Sequence, residues 1–291
     1  MVYIGIGIGC LLCIFLFIMW MHVENNHFRI EHYEVKSEKL PVKFHGSKIV
    51  FITDLHNHSF GENNDRLLAA IEKEKPDYIM TAGDLLIKGD TFAAETALKL
   101  LKSLTETYPV YYAPGNHEKR LGELEETKNK FWKEYIAQIK EMGVKYLSNE
   151  SVILKKGNQS ISVSGIDIDR IYYKKGFHRP KLEKKEMERM MPECEKETYQ
   201  ILLAHNPEYF ETYAEWGADL VLSGHFHGGI MILPWIGGVV APSYQLFPKY
   251  DFGKFQSGSS IMILSRGLAV HSIKIRIFNV PELSVITLKQ K

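Results

Sequence analysis

The 291-residue sequence predicts an α/β domain in which two mixed β-sheets face each other with helices on their outer sides, preceded by one N-terminal apolar helix. Three observations lead there. From Ile49 to Met142, short β-branched and aromatic runs alternate with longer amphipathic stretches, the β–α–β order of a mainly parallel sheet. After Glu150 a second series of apolar runs opens with a hairpin pattern and requires a sheet of its own. Met1 to Val23 contains no Asp, Glu, Lys or Arg, although 24% of the chain is charged.

As a helix, Val2 to Met21 would reach roughly 30 Å, the thickness of a hydrocarbon core. A cleaved signal peptide fits less well, because there is no basic segment before the apolar run. Phe17-Ile-Met-Trp20 also offers no small-residue cleavage site. Trp20 and His22 suit the interfacial end of a span. Residues 1–23 are therefore expected to anchor the chain in the cell membrane, residues 24–47 to connect, and residues 48–291 to form the functional domain. Arg29 and Lys36 follow the span and no Lys or Arg precedes it, which nominally sets the domain on the cytoplasmic side.

Ile49-Val-Phe-Ile-Thr53 reads as a buried strand, and Asn64 to Lys75 as a helix stopped by Pro76. Tyr78 to Thr81 is the next strand and Thr91 to Thr105 the next helix, with Leu98, Leu101 and Leu104 on one side. Val110 to Ala113 and a charged helix from Leu121 to Met142 complete the first half. Ser151 to Ile166 reads as a hairpin turning at Gly157-Asn158, followed by a helix from Lys181 to Met191. Strands are expected at Gln200–Ala204, Leu220–Ser223, Ile261–Ser265, Ile273–Ile277 and Ser284–Leu288. The apolar segment Gly228 to Pro248 is expected to pack as core and close loop, with a lipid-contacting surface as the alternative.

Composition narrows the function. An apolar share of 45% with a net charge of +1 excludes a disordered chain, and no nucleic-acid partner is expected without a basic excess. Three cysteines, two of them inside the N-terminal apolar run, exclude a disulfide scaffold.

Polar residues gather where open α/β sheets place their sites, at the downstream strand ends. They are Asp54-Leu-His56, Gly83-Asp84, Gly115-Asn-His-Glu118, His205-Asn206 and Gly224-His-Phe-His227. Each alone is a common turn; in this order, each after an apolar run, they read as one site delivered to one edge. Two cations held about 3.5–4 Å apart need a shared anionic ligand, and a short carboxylate such as Asp84 can bridge them. Imidazoles complete each shell without adding charge, and water acidified by the ions can attack phosphorus in line.

This set resembles the calcineurin-like metallophosphoesterase family, from about Lys48 to the end of the chain. Arg266-Gly-Leu268 and Pro281-Glu-Leu283 further resemble its membrane-associated bacterial phosphohydrolase (YkuE-like) branch. The resemblance implies an αββα sandwich binding two divalent transition-metal ions (Mn, Fe, Zn, Co or Ni). It implies that Asp54, His56 and His227 hold one metal, that Asn116, His205 and His225 hold the other, and that Asp84 bridges. His117 would be the general acid and, with Asn116, contact the phosphate. The chain departs from the family pattern at Phe226, where Thr is frequent, at Ile230, where Gln is frequent, and at His58, where Gly is frequent. These positions bear on the pocket, where His58 is a candidate for substrate contact, and not on the ligands.

The expected activity is hydrolysis of phosphate esters or anhydrides of a small-molecule or lipid substrate by metal-bound hydroxide. A lipid-nucleotide pyrophosphatase of the UDP-diacylglucosamine type is the alternative. A non-catalytic metal-binding membrane scaffold is the alternative of another class, though it has no use for His117. His22, His27, His32, His45, His178 and His271 lack strand-end partners and are expected to take no part.

Overall fold

Residues 2–87, 94–123, 126–174, 176, 180–195, 197–241, 244–270 and 275–291 are described by the computed structural model. The first half runs α1 (Val2–Asn26), β1 (Arg29–Ser37), β2 (Lys48–Ile52), α2 (Asp65–Glu74), β3 (Tyr78–Thr81), α3 (Ala94–Thr105), β4 (Val110–Tyr112), α4 (Asn116–Glu123), α5 (Glu126–Glu141) and β5 (Lys145–Tyr146). The second runs β6 (Glu150–Lys156), β7 (Gln159–Ile166), α6 (Lys184–Met190), β8 (Gln200–Ala204), α7 (Phe210–Trp216) and β9 (Leu220–Ser223). It ends with β10 (Ile232–Leu233), β11 (Gly237–Gly238), β12 (Gly253–Ser257), β13 (Ser260–Leu264) and β14 (Glu282–Gln290).

Two six-stranded mixed sheets result, ordered β1-β14-β2-β3-β4-β5 and β12-β13-β9-β8-β7-β6. In the first, β2, β3, β4 and β5 are parallel and β14 runs against β2. In the second, β13, β9, β8 and β7 are parallel, with β12 and β6 antiparallel at the edges. Alternate side chains of each strand enter different cores, as a pleat of period two requires. Ile49 and Phe51 of β2 meet Ile201, Leu203, Leu220 and Leu222 of the other sheet in the central layer. Val50 and Ile52 face outward onto Leu67 and Ile71 of α2 and Leu100 and Leu101 of α3. On the far side, Leu202 and Val221 pack on Met187 of α6 and Phe210 and Tyr213 of α7. The α/β class with facing sheets follows from strands that are apolar on both faces.

Several elements differ from the sequence reading. Residues 29–37, assigned to the connector, form β1, which pairs in parallel with β14 along its whole length. Only Val35 is fully buried there, so the apolar alternation is faint; the charges mark an edge strand. The single helix expected over 121–142 is two helices, and the first begins at Asn116, which puts Asn116 and His117 in its opening turn. Part of the expected strand Ile273–Ile277 lies outside the described residues. Ile275 to Ile277 carry only one isolated bridge, Ile277 to Met231, and Arg276 is fully buried among loop carbonyls. The start of the expected helix Thr91–Thr105 also lies outside them, at residues 91–93. Helix α7 and strands β5 and β12 are additional. The apolar segment 228–248 is not core throughout: Trp235, Ile236, Tyr244, Leu246 and Phe247 are exposed.

Helix α1 contains a stretch, Ile6–Asn26, long and apolar enough to cross a membrane, and it is nearly all exposed. Among the described residues, its C-terminal end touches the domain. Trp20 packs on Phe278 with ring centroids 5.3 Å apart, and Glu24 Oε1 accepts a 2.7 Å hydrogen bond from the amide of Asn279.

Ile286 of β14 lies fully buried between the sheets, in register with Ile49. Ile286→Ala should lower unfolding stability by about 2–5 kcal/mol, whereas Val42→Ala at an exposed site should change it by no more than about 0.5 kcal/mol. Denaturant titration of the two variants checks the contrast.

Candidate metal centre

Parallel strands release their chains at one edge, and the loops after β2, β3 and β9 turn sharply there. Asp54 (φ 55°), His56 (φ 46°), Asp84 (φ 52°), His225 (φ 70°) and His227 (φ 52°) all adopt the left-handed conformation. For residues with a Cβ this costs about 1–2 kcal/mol each, so the surroundings must enforce it. Glycines make the crowding possible. A Cβ on Gly83 (φ 83°) would collide with the backbone of Gly115, and one on Gly115 would strike Asp84 Oδ1. A Cβ on Gly224 would strike Asp54 Oδ2, and one on Gly267 would lie 2.7 Å from Asp54 Cβ.

The two sheets meet at these loops. Asp54 accepts from Thr53 Oγ1 at 3.0 Å and from the amide of His225 at 3.1 Å, joining β2 to the loop after β9. Asp84 Oδ1 accepts from the amide of His117 at 2.8 Å. His205 Nδ1 lies 2.7 Å from the carbonyl oxygen of Ala82, across the sheets. A carbonyl only accepts, so Nδ1 carries a proton there, and Nε2, 3.1 Å from Asp84 Oδ2, is the nitrogen left for a cation.

Asp54, His56 and His227 each offer a ligand atom within 4.8 Å of the others, as do Asp84, His205 and His225. His56, Asp84 and His117 form a third such group, so the sets share a wall. His56 Nε2 stands 3.7 Å from Asp54 Oδ1 and 4.0 Å from Asp84 Oδ2, while His117 Nε2 stands 4.0 Å from Asp84 Oδ2. All these residues are buried except the half-buried His225. Asn116 is buried just before His117, and its Oδ1 has no hydrogen-bond partner among the described residues. An imidazole nitrogen facing a buried carboxylate, and a buried amide oxygen with no donor, are the environment a divalent cation satisfies; nitrogen and oxygen donors without thiolate suit a transition metal.

Burial pushes the carboxyls of Asp54 and Asp84 up to about 7, with the charge of Asp84 adding to the shift at Asp54. Burial and the neighbouring Asp84 likewise push Glu118 up to about 7. Glu118 stands in the sequence motif without an assigned role, and the structure supplies one. It accepts from the amides of Asp84 (2.8 Å), Gly115 (3.0 Å) and Leu86 (3.1 Å) and from Tyr112 Oη (2.8 Å), tying the loop after β3 to the start of α4. Its signal in the sequence is a Glu in the opening turn of a helix.

Other supporting residues left no such signal. Arg276 donates to the carbonyl oxygens of Arg266, Gly267, Ala269 and Asn279 at 2.9–3.2 Å, and so shapes the loop that presses Gly267 on Asp54. Asn279 Nδ2 donates to the carbonyl oxygen of His227 at 2.7 Å. Tyr173 sets its ring 5.3 Å from that of His225. His58 lines a cleft of about 600 Å³ with His56 and with Ile18, Met21 and His22 of α1. His22, His27, His32 and His45 are exposed; His178 and His271 lie outside the described residues.

Residues 47–229 match the family model described as calcineurin-like phosphoesterase, and the chain belongs to that family. It is a metal-dependent phosphoesterase. The chain is 25% identical over 273 residues to the uncharacterized metallophosphoesterase YkuE of Bacillus subtilis (92% of this chain, 88% of that protein). It is 28% identical over 225 residues to the phosphodiesterase YaeI of Escherichia coli (76% and 74%). Identity is 22% over 306 residues to the UDP-2,3-diacylglucosamine pyrophosphatase LpxG of Chlamydia muridarum (91% and 90%). Relatives of the YkuE type are in keeping with the bacterial branch that the sequence resembles.

The raised carboxyls give the metal-free protein a defined pH response. An unfolded carboxylate releases its proton near pH 4, whereas the folded ones hold it to about pH 7. Between those values the folded state binds more protons, so its stability falls as pH rises. Chelator-treated protein should lose melting temperature from about pH 4 to 7, and a saturating divalent metal should reverse the loss; thermal melts across pH check it. Gly115→Ala should cost about 1–3 kcal/mol and reduce bound metal, as measured by denaturation and elemental analysis.

Proposed function

We propose that this protein is a membrane-anchored phosphohydrolase that works with two divalent transition-metal ions and cleaves phosphate ester or anhydride bonds. The observation that carries the reading is the pair of donor sets, Asp54/His56/His227 and Asp84/His205/His225, with His117 beside Asp84. In this reading Asp54, His56 and His227 hold one ion, Asn116, His205 and His225 the other, and Asp84 both. The ions would polarise the phosphoryl group, neutralise its charge and acidify water near neutral pH.

The chain's own groups do the rest. The amide of His117 engages Asp84 Oδ1 and leaves Oδ2 toward His56, His117 and His205. The imidazole of His117, buried and edge-on to His56 at 4.9 Å, donates its Nε2 proton to the departing oxygen. Asn116 and His117 orient the phosphate at the head of α4, where backbone amides favour an anion. Helix α1, apolar from Ile6 and exposed along its length, is the membrane anchor of this reading.

A second reading, a lipid-nucleotide pyrophosphatase, is favoured by the cleft shared between α1 and the pair His56 and His58. There a phosphate attached to an acyl-bearing molecule reaches the donor sets from the bilayer side. The similarity to LpxG supports the same substrate class.

Hydrolysis of aryl phosphate mono- and diesters and of pyrophosphates, with Mn²⁺, Zn²⁺, Fe²⁺ or Ni²⁺ added, tests the reading. Asp84→Ala should abolish turnover. His117→Ala should reduce kcat by about 10²–10⁴-fold while bound metal persists. No turnover with any metal and substrate would leave a metal-binding scaffold as the remaining reading. UDP-diacylglucosamine in vesicles, compared with soluble nucleotide diphosphates, separates the two enzyme readings.

A further inference from the structure

Four exposed aromatic side chains stand on backbone with positive φ: Trp235 (63°), Tyr244 (65°), Phe247 (48°) and Phe278 (54°). Left-handed backbone disfavours bulky residues, and exposed apolar rings gain nothing from water. Trp235 shows the conflict most plainly. It occupies the third position of the turn closed by the hydrogen bond from the Ile236 amide to the Leu233 carbonyl oxygen, where positive φ favours Gly, and its side chain is wholly exposed.

These rings stand on segments bonded to one another. The Ile277 amide bonds to the Ile230 carbonyl oxygen at 3.2 Å and the Ile232 amide to the Ile277 carbonyl oxygen at 3.0 Å, setting the β10–β11 hairpin beside Phe278. Phe247 returns to Val239 through a 2.9 Å bond. Residues 228–248 contain no Asp, Glu, Lys or Arg, so nothing in their sequence selects a charged partner. The surface is continuous with α1, because Phe278 packs on Trp20 at 5.3 Å. Trp20 lies about 9 Å up the helix from Asn26, the level at which aromatic residues meet lipid headgroups.

We propose that the exposed rings of Trp235, Tyr244, Phe247 and Phe278 form a second membrane-contacting surface, seated in the headgroup region of the bilayer that α1 crosses. The proposal rests on α1 being a span. The loop is tied to the candidate metal centre through Asn279, which bonds the carbonyl oxygen of His227. Seating it therefore fixes the height of the site above the bilayer, with the cleft of Met21, His22, His56 and His58 opening at the headgroup plane.

Tryptophan quenching by brominated phosphatidylcholine separates the two claims. The full chain is reconstituted in phosphatidylcholine vesicles with bromines near the headgroup or deep in the acyl chains. The emission lost in Trp235→Gly reports on the loop, and that lost in Trp20→Phe reports on α1. Glycine suits the positive φ of position 235, so folding is not at risk there. Shallow bromines should cut the Trp235-dependent emission by about half, more than deep ones do. If Trp20-dependent emission is quenched and Trp235-dependent emission is not, as when another protein covers this face, the loop proposal is overturned while α1 remains a span. If neither is quenched, the span reading fails and the loop proposal with it.

Discussion

Two carboxylates buried side by side govern this structure. Asp54 and Asp84 follow neighbouring parallel strands, both lie almost wholly out of water, and burial resists their ionisation. Backbone amides and the Thr53 hydroxyl satisfy part of each group, and imidazoles surround the rest. Such a pair needs protons or cations to balance it. Much of the surrounding architecture serves to keep the pair in place: glycines that let the loops approach, Glu118 clamping the loop after β3, and Arg276 gathering carbonyls behind Gly267.

The sandwich supplies the force that holds these loops in an unfavourable conformation. Five candidate ligands have positive φ, and their summed strain is comparable with the whole stability of a small domain. The apolar layer between the sheets anchors the strands from which these loops leave, and the cross-sheet bonds from His205 to Ala82 and from His225 to Asp54 lock the edges together. Each sheet contributes to both donor sets, so neither could form without the packing of the other.

Helix α1 is coupled to this centre by a short path. Glu24 holds the amide of Asn279, and the Asn279 side chain holds the carbonyl of His227. The end of a helix that is otherwise exposed among the described residues thus bears on a candidate ligand. The cleft between them is lined by both, which gives the apolar helix a share in choosing what reaches the phosphate site.

The sequence by itself determined the strands that are apolar on both faces, the facing-sheet class, and the candidate ligands at the downstream strand ends. Those features are local: a run such as Ile49–Ile52 states its burial, and a polar residue directly after it states an edge. It also exposed the charge-free helix, because length and composition alone decide whether a segment can cross a lipid layer. Only the tertiary structure decided what depends on distant chain segments. The faint alternation of residues 29–37 becomes a strand because β14 offers it an edge. Arg276, inside what reads as a strand, is instead buried among carbonyls that the chain collects from Arg266 to Asn279. The role of Glu118 arises from three amides on two separate segments, and the exposure of the apolar loop after His227 is likewise a property of the assembled chain. In each case hydrogen-bond partners and solvent exposure are properties of assembled surfaces, which periodicity along one segment does not encode.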